Sequence, residues 1–373
     1  MPEDQFPIEI APVEPPPVQY EEKQISFDIE IDQFLWVNEA RAAFRVSGKG
    51  LTVAVLDTGL NTGHVDFAGR IVAQRNFTPD NGGNVNDATD GNGHGTNVGG
   101  IIVANEDHIG IAPEANIIPI KVLKNSGGGS FQWIDSALQW VLDNQKKYNI
   151  TVVCMSLGDG SNRTDDDNLS NDPIRKKIRE LRNKRVAVTI AAGNDFFKHN
   201  SQQGMGYPGI IRECVSVGAV YDAAEGSFSY GSGAKAHSTR AGQITPFSQR
   251  LHPTVNGYTR TDIFAPGAPV TSSGIRGPHG ESIQHGTSQA TPVTAGLILL
   301  MQEFYQRSEG ELPTVDDLVK WLRRGASSIY DGDDEDDNVV HTNRTFLRAD
   351  ALSAMDAVRR QIQKNALRRS MSS

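Results

Sequence analysis

Short apolar segments rich in β-branched residues alternate with longer amphipathic segments along most of the chain. The segment at 51–56 is apolar without interruption, which is typical of a strand buried on both faces of a parallel sheet. Comparable segments lie at 116–123, 150–157, 186–192, 214–220 and 262–267. The alternation predicts an α/β fold in three layers, with a mostly parallel central β-sheet and helices on both faces.

Capping residues and prolines mark where the predicted helices begin. They are Ser130, Asp172 before Pro173, Thr314 and Pro292. The predicted helices cover 33–45, 173–184, 314–324 and 349–367, with two more beginning at 131 and near 288. Pro292 is expected in the first turn of its helix, where a missing N–H group costs nothing.

One large domain accounts for most of the length. Residues 1–32 form an arm rich in proline and glutamate with extended character, and 33–360 form the α/β domain. Residues 222–261 lack periodicity and predict an irregular surface insertion within it. The acidic run at 331–337 predicts a solvated loop, and 361–373 form the end of the last helix and a tail.

Charge and hydrophobicity exclude several classes of function. The net charge is −9 and the pI about 5.5, which argues against binding to nucleic acid or to anionic membranes. The longest apolar run, at 293–301, is far shorter than the roughly 20 residues of a membrane span. The acidic N-terminus contains no apolar segment typical of a signal peptide. These features predict a cytoplasmic protein.

Three polar residues stand where predicted elements begin or end. Asp57 ends the strand at 51–56, His94 lies between two glycines before a buried helix, and Ser288 opens an apolar helix. Each has an ordinary structural interpretation, as a turn cap, a structural histidine and a helix cap. A serine nucleophile, however, needs a histidine base and a carboxylate that orients it. Asn194, at another strand end, can donate a hydrogen bond to an oxyanion.

These residues lie in four motifs that resemble those of the subtilisin-like (subtilase) serine proteases. The motifs occupy 55–59, 93–96, 191–194 and 286–292, and the similarity extends from about residue 36 to 358. The resemblance implies a serine endopeptidase that needs no cofactor for its chemistry and acts on polypeptides. It implies that Ser288 attacks the scissile carbonyl and that His94 is general base and then acid. It also implies that Asp57 orients His94, and that Asn194 and the Ser288 N–H bind the oxyanion.

The resemblance also implies a set of substrate-binding residues. Ser156, Leu157 and Gly158 would form one wall of the P1 pocket, and Gly206 would form its floor. Gly128 and Gly129 would line the opposite side of the cleft, and Phe131 and Ile134 would lie in the S4 region. A glycine at the floor leaves room for a large apolar P1 side chain.

The sequence departs from the family pattern at several positions. Asn97 replaces a histidine that usually follows the His-Gly-Thr motif, and Gln289 replaces a methionine common after the nucleophile. Structural Ca²⁺ is frequent in the family, and Asp66 matches one ligand position. The loop at 104–110, which would complete that site, is shortened, and Asp87 with Asp90 is an alternative Ca²⁺ site.

Two other functions use the same groups. A pseudoprotease would bind peptides without cleaving them, and an acyl-enzyme transpeptidase or macrocyclase would need to shield its intermediate from water, for which 222–261 is the candidate segment. The arm at 1–32 is similar to the short N-terminal extensions of intracellular family members. We expect it to lie near the cleft and restrain activity.

Overall fold

The computed structural model describes residues 28–332 and 336–372. Most of the predicted arm at 1–32 lies outside these residues, and its role in restraining activity stays a prediction. The strands are β1 (Thr52–Asp57), β2 (Arg75–Asn76), β3 (Asn116–Lys121), β4 (Ile150–Met155), β5 (Ala187–Ala191), β6 (Val215–Val220), β7 (Phe228–Ser229), β8 (Lys235–Ala236), β9 (Ile263–Pro266), β10 (Val270–Ser273), β11 (Glu281–Gln284), β12 (Ser327–Asp331) and β13 (Arg344–Arg348). The helices are α1 (Asp28–Leu35), α2 (Val37–Phe44), α3 (His94–Val103), α4 (Phe131–Tyr148), α5 (Pro173–Asn183), α6 (Thr287–Glu309), α7 (Val315–Gly325) and α8 (Ala351–Ser372).

A mostly parallel sheet forms the middle layer, as the sequence predicts. In the described part of the chain it has nine strands in the order β12-β13-β9-β6-β5-β4-β1-β3-β2, and only the β12–β13 pair is antiparallel. The chain passes from β1 to β3 on one side and to β4 on the other. Strand order reverses at β1, and the crevice at the carboxyl ends of the strands beside such a reversal is where open α/β sheets place their ligands.

Helices cover both faces of the sheet because its strands are apolar on both faces. Val53 and Val55 of β1 pack into the core that contains α2, α3, α6, α7 and α8. Ala54 and Leu56 of the same strand pack into the opposite core, which contains α4 and α5. The central strands β1, β4, β5 and β6 are buried along their whole length. The predicted three-layer α/β fold is confirmed.

The predicted helix at 33–45 is two helices. Trp36 separates α1 from α2 and adopts a left-handed conformation with φ of 60° and ψ of 42°. Its side chain is about half exposed, whereas Leu35 and Val37 on either side are buried. Hydrophobic spacing continues across the break, so the pattern alone predicts one helix.

Burial corrects two predictions of surface structure. The segment at 222–261 contains the β7–β8 hairpin and is irregular, but residues 243–251 are buried without exception, and Ile244 forms a bridge with Val220 of β6. The predicted acidic loop at 331–337 begins with Asp331, which is fully buried and ends β12. Asp331 is buried because Arg250 neutralises it, with Nε and Nη2 donating to its two oxygens at 2.9 and 3.0 Å.

Candidate active site

A buried carboxylate and imidazole meet at the carboxyl end of β1. His94 Nδ1 and Asp57 Oδ1 are 2.7 Å apart, and the Asp57 side chain is fully buried. The Thr58 N–H also donates to Asp57 Oδ1, at 2.7 Å. The hydrogen bond between His94 and Asp57 orients the histidine ring so that its other nitrogen, Nε2, faces away from Asp57. Within the described residues, the buried Nε2 atom has no hydrogen-bond partner.

The start of α3 holds His94 in place. The Asp90 carboxylate accepts hydrogen bonds from the N–H groups of Asn92, Gly93 and Thr96, which fixes the loop before the helix. A β-carbon at Gly95 would lie 2.3 Å from the Gly59 carbonyl oxygen. Only glycine therefore fits at 95, where the backbone approaches closely as predicted, whereas the nearest neighbour of a β-carbon on Gly93 would be the Ile275 side chain at 3.5 Å. Because its oxygens accept these N–H groups, Asp90 is poorly suited to bind Ca²⁺.

Ser288 is the second residue of α6, with its hydroxyl near the helix N-terminus. Its Oγ donates to the Ser156 carbonyl oxygen at 3.2 Å, not to His94. The structure therefore joins Asp57 to His94 and leaves the contact between His94 and Ser288 unmade. Catalytic hydrogen bonds are often long or misaligned without substrate and form only in the complex.

Pro292 lies in the second turn of α6, not in the first turn as predicted. A residue with an N–H group at 292 would donate it to the Ser288 carbonyl oxygen, four residues earlier. Instead, the Ser156 hydroxyl donates to that oxygen at 2.7 Å. Proline is tolerated because the Ser156 hydroxyl donates to this oxygen in its place, and this bond ties the end of β4 to the backbone of Ser288.

The amide of Asn194 has a fixed orientation. Its Oδ1 accepts from the Thr287 N–H at 2.8 Å and from the Thr287 hydroxyl at 2.9 Å, so Nδ2 must point the other way. Nδ2 is buried and has no acceptor among the residues described. A β-carbon placed on Gly286 would lie 3.2 Å from Asn194 Nδ2 and 3.4 Å from the Ser288 nitrogen. The two nitrogens therefore border one small space.

A buried lysine supports the turn that follows Asp57. Lys121 pairs with Asp57 in the register of β3 against β1, and its side chain is fully buried. Its Nζ donates to the Thr58 carbonyl at 2.6 Å, the Leu123 carbonyl at 3.0 Å and Asn125 Oδ1 at 2.8 Å. Burial lowers the pKa of Lys121, an effect that the nearby Asp80 carboxylate opposes. Lys121 cannot be recognised from the sequence as a site residue, because it is one polar residue in an apolar strand.

The predicted substrate-binding residues lie around this site but differ in exposure. Gly158 and Gly206 come close together because the residues that follow them are hydrogen-bonded. The Asp159 N–H donates to the Tyr207 carbonyl oxygen at 2.9 Å. Phe131 packs edge-on against Tyr207 with ring centroids 5.0 Å apart. The other predicted residues fall into a buried set and a loop: Ser156, Leu157 and Ile134 are buried, and Gly128 and Gly129 lie in the turn before α4. Ile134 has no exposed surface, so it supports the residues that line the predicted cleft and is not itself open to a substrate.

The two departures from the family pattern contact each other. Gln289 Nε2 donates to Asn97 Oδ1 at 3.3 Å and to Gln284 Oε1 at 3.2 Å. Asn97 in turn donates to the Ser282 carbonyl at 2.9 Å. Asn97 and Gln289 are thus matched partners that join α3 to α6 and to β11.

The surroundings of Asp66 do not fit Ca²⁺. Its buried oxygens accept hydrogen bonds from the His108 N–H at 3.0 Å, His108 Nδ1 at 2.8 Å and the Ser273 hydroxyl. Burial would raise the pKa of Asp66, but these hydrogen bonds outweigh it and lower the pKa to about 2. Ca²⁺ takes about six to eight oxygen ligands. The carboxylate of Asp66 instead has a ring nitrogen, His108 Nδ1, as a close neighbour. In the ranges 28–332 and 336–372, no group of three or more His, Cys, Asp or Glu side chains suits a metal.

An α/β sheet with a buried Asp–His pair and a helix-terminal serine at its carboxyl edge defines the class of α/β serine hydrolases. The chain belongs to the subtilase family, whose sequence profile matches residues 48–344. This places the chain among the serine endopeptidases, as the four motifs predict.

Individual relatives support the assignment. The chain is 31% identical to an "Intracellular serine protease" of Paenibacillus polymyxa, over 70% of this chain and 69% of that protein. It is 30% identical to the "Major intracellular serine protease" of Bacillus subtilis (strain 168), over 70% of this chain and 72% of the relative. Among the described residues, no helix is both long and apolar enough to span a membrane.

Proposed function

We propose that Ser288, His94 and Asp57 act as a catalytic triad that hydrolyses peptide bonds through an acyl-enzyme. One observation carries the proposal. Two buried polar atoms, His94 Nε2 and Asn194 Nδ2, lack partners within the described chain, and each is turned away from a partner that fixes its side chain. Leaving such groups unpaired costs stability, so their retention indicates that substrate completes them.

Each group then has one role in the reaction. Ser288 Oγ turns from the Ser156 carbonyl and attacks the scissile carbon, while its proton passes to His94 Nε2. Asp57 stabilises the imidazolium, and Asn194 Nδ2 with the Ser288 N–H holds the oxyanion. The C–N bond breaks as His94 returns the proton to the leaving amine. Water repeats the cycle on the ester and frees Ser288.

A large P1 side chain is proposed for the substrate. Gly206 adds no side chain to the proposed pocket, and a β-carbon there would meet no atom closer than 3.6 Å. The buried Leu157 is proposed as an apolar wall of this pocket. We also propose that the enzyme acts inside the cell, on the strength of the printed names of its two intracellular relatives.

The alternative functions fit the site less well. A pseudoprotease would lack one of the reacting groups, and all of them are present. A transpeptidase would need 222–261 as a shield, whereas residues 243–251 are buried and contact Gly193 and Gly206 through Gln249.

The test uses a fluorophosphonate probe, which labels only an activated serine, followed by digestion of unfolded casein. We expect the parent and Ser170→Ala, a change at an exposed loop serine, to be labelled and to cleave casein equally. Ser288→Ala should not be labelled, and its rate of casein cleavage should fall by at least about 10⁴-fold. Labelling of Ser288→Ala, or an unlabelled parent, would refute the triad.

A further inference from the structure

Gln249 lies beside the predicted floor of the P1 pocket. Its side chain is fully buried between Gly206 and Gly193, the residue before Asn194. A β-carbon on Gly193 would lie 1.9 Å from Gln249 Oε1, so glycine is required at 193 for the amide to fit. A β-carbon on Gly206 would lie 3.7 Å from the same oxygen. Gln249 Oε1 therefore borders the space above the floor.

The orientation of this amide is fixed by two acceptors. Gln249 Nε2 donates to the Ser161 carbonyl oxygen at 2.9 Å and to Asn162 Oδ1 at 2.8 Å. Rotating the amide by half a turn would set Oε1 against two oxygens, which repel it. Oε1 is buried and has no donor among the described residues. It is thus an acceptor oriented for a hydrogen bond that the described residues do not make.

Acceptor oxygens surround the floor. The three heavy atoms nearest to a β-carbon on Gly206 are the Ala192 carbonyl oxygen at 3.6 Å and, at 3.7 Å, Gln249 Oε1 and the Ser161 carbonyl oxygen. The Ala192 oxygen accepts from the Gly206 N–H and the Ser161 oxygen from Gln249 Nε2, so of these three oxygens only Oε1 has no donor in the part of the chain that the structure describes. The buried Asp159 carboxylate accepts from the Tyr207 N–H next to the floor and adds to its negative potential.

We propose that Gln249 Oε1 is a specificity-determining acceptor that selects P1 side chains with a hydrogen-bond donor at their tip. The inference rests on the proposed function of the cleft and deepens it. An apolar stem fits against Leu157, and a donor tip completes Oε1. A purely apolar P1 side chain would leave the buried Oε1 without a donor, and sites built to hydrogen-bond reject analogues that lack the group. Large side chains with donor tips, such as tyrosine and glutamine, therefore replace purely apolar ones as the favoured class.

The first test uses the unmodified enzyme and peptides that differ only at P1. Tyrosine is compared with phenylalanine, and glutamine with methionine, because each pair matches closely in size and differs in the donor. We expect kcat/KM to be about tenfold higher for the donor member of each pair. Equal or faster cleavage of the phenylalanine and methionine peptides would overturn the inference while leaving the protease function intact. Failure to cleave any peptide would instead refute the proposed function, and this inference with it.

The second test replaces the acceptor. Gln249→Leu keeps the approximate size of the side chain and removes Oε1, while Gln202→Leu makes the same change at an exposed site. We expect Gln249→Leu to lose the preference in both pairs and to cleave phenylalanine and methionine peptides at least as well as the parent. Gln202→Leu should keep the parental preference. A Gln249→Leu enzyme that keeps it would overturn the inference, and if the variant does not fold, the peptide pairs on the parent still decide.

Discussion

At the scale of single residues, Lys121 is a buried cation whose three acceptors fix the turn after Asp57. It touches neither substrate nor the reacting atoms, so it acts as a positioning residue through the Thr58 carbonyl. Lys121→Met keeps the length of the stem and removes the donor from the buried Thr58 and Leu123 carbonyl oxygens, whereas Asn125 Oδ1 still accepts from the Gly91 N–H. We expect a loss of about 2–4 kcal/mol in the free energy of unfolding.

The same substitution should also affect catalysis. With the turn loosened, we expect kcat to fall about tenfold while KM changes little, because geometry at His94 matters most in the transition state. Urea unfolding and peptide kinetics measure the two effects, with Lys146→Met on the exposed face of α4 as control. Parental unfolding and kcat in Lys121→Met would show that the lysine supports nothing.

The residues of the proposed triad and oxyanion site can be recognised in the sequence, whereas the residues that hold them in place cannot. Asp57, His94, Asn194 and Ser288 stand in motifs whose chemistry needs those residue types. Lys121 and Gln249 contribute through contacts with residues 63 and 87–88 positions away, respectively, and no local pattern marks them. Their roles follow from strand register and burial, which only the folded chain supplies.

At the scale of elements, the link between β11 and α6 carries a buried histidine. His285 packs edge-on against Phe228 and Tyr230, with centroids 4.9 and 5.7 Å away, and its Nδ1 has no partner in the described chain. Burial lowers the pKa of His285 to about 4. An unfolded chain, with an ordinary histidine pKa of about 6.5, binds more protons than the native state between these values.

Stability should therefore fall as the pH drops from about 6.5 towards 4, by up to about 3 kcal/mol from this residue. Urea unfolding at a series of pH values gives the slope of the unfolding free energy against pH. We expect His285→Asn to reduce this slope between pH values of about 4 and 6.5 by an amount that corresponds to about one proton. His279→Asn, at an exposed histidine, should keep the parental slope. A parental slope in His285→Asn would show that the ring titrates normally in the folded state.

Hydrophobic periodicity and capping residues predict some of these elements and not others. The buried strands and most helix starts are predicted well, because apolar runs and caps are local signals; Ser130 accepts from the Gln132 N–H, and Thr314 from Asp317. The break at Trp36 and the β12–β13 pair are not predicted. A left-handed residue leaves the hydrophobic spacing unchanged, and β12 alternates exposed and buried residues at the edge of the sheet.

At the scale of the whole molecule, one buried ion pair joins the segment that contains Gln249, beside the proposed P1 pocket, to the far edge of the sheet. Arg250 follows Gln249 directly and stacks over Phe196, with its guanidinium carbon 3.7 Å from the ring centroid. Asp331, at the end of β12, accepts from Arg250 and from Thr342. Neither charged side chain has exposed surface, and the Arg250 charge lowers the pKa of Asp331 despite its burial.

Breaking this pair should cost more than any surface ion pair, because the remaining charge stays buried without its partner. We expect Asp331→Asn to lower the free energy of unfolding by about 3–5 kcal/mol, against no measurable change for the exposed Asp336→Asn. The double variant Arg250→Met, Asp331→Asn leaves neither charge alone, so its loss should be smaller than the sum of the losses in Arg250→Met and in Asp331→Asn. Strict additivity in urea unfolding would show that the charges act independently. Since Arg250 anchors the residue next to Gln249, the single variants should also blunt the preference for donor-tipped P1 side chains, whereas Asp336→Asn should leave it unchanged.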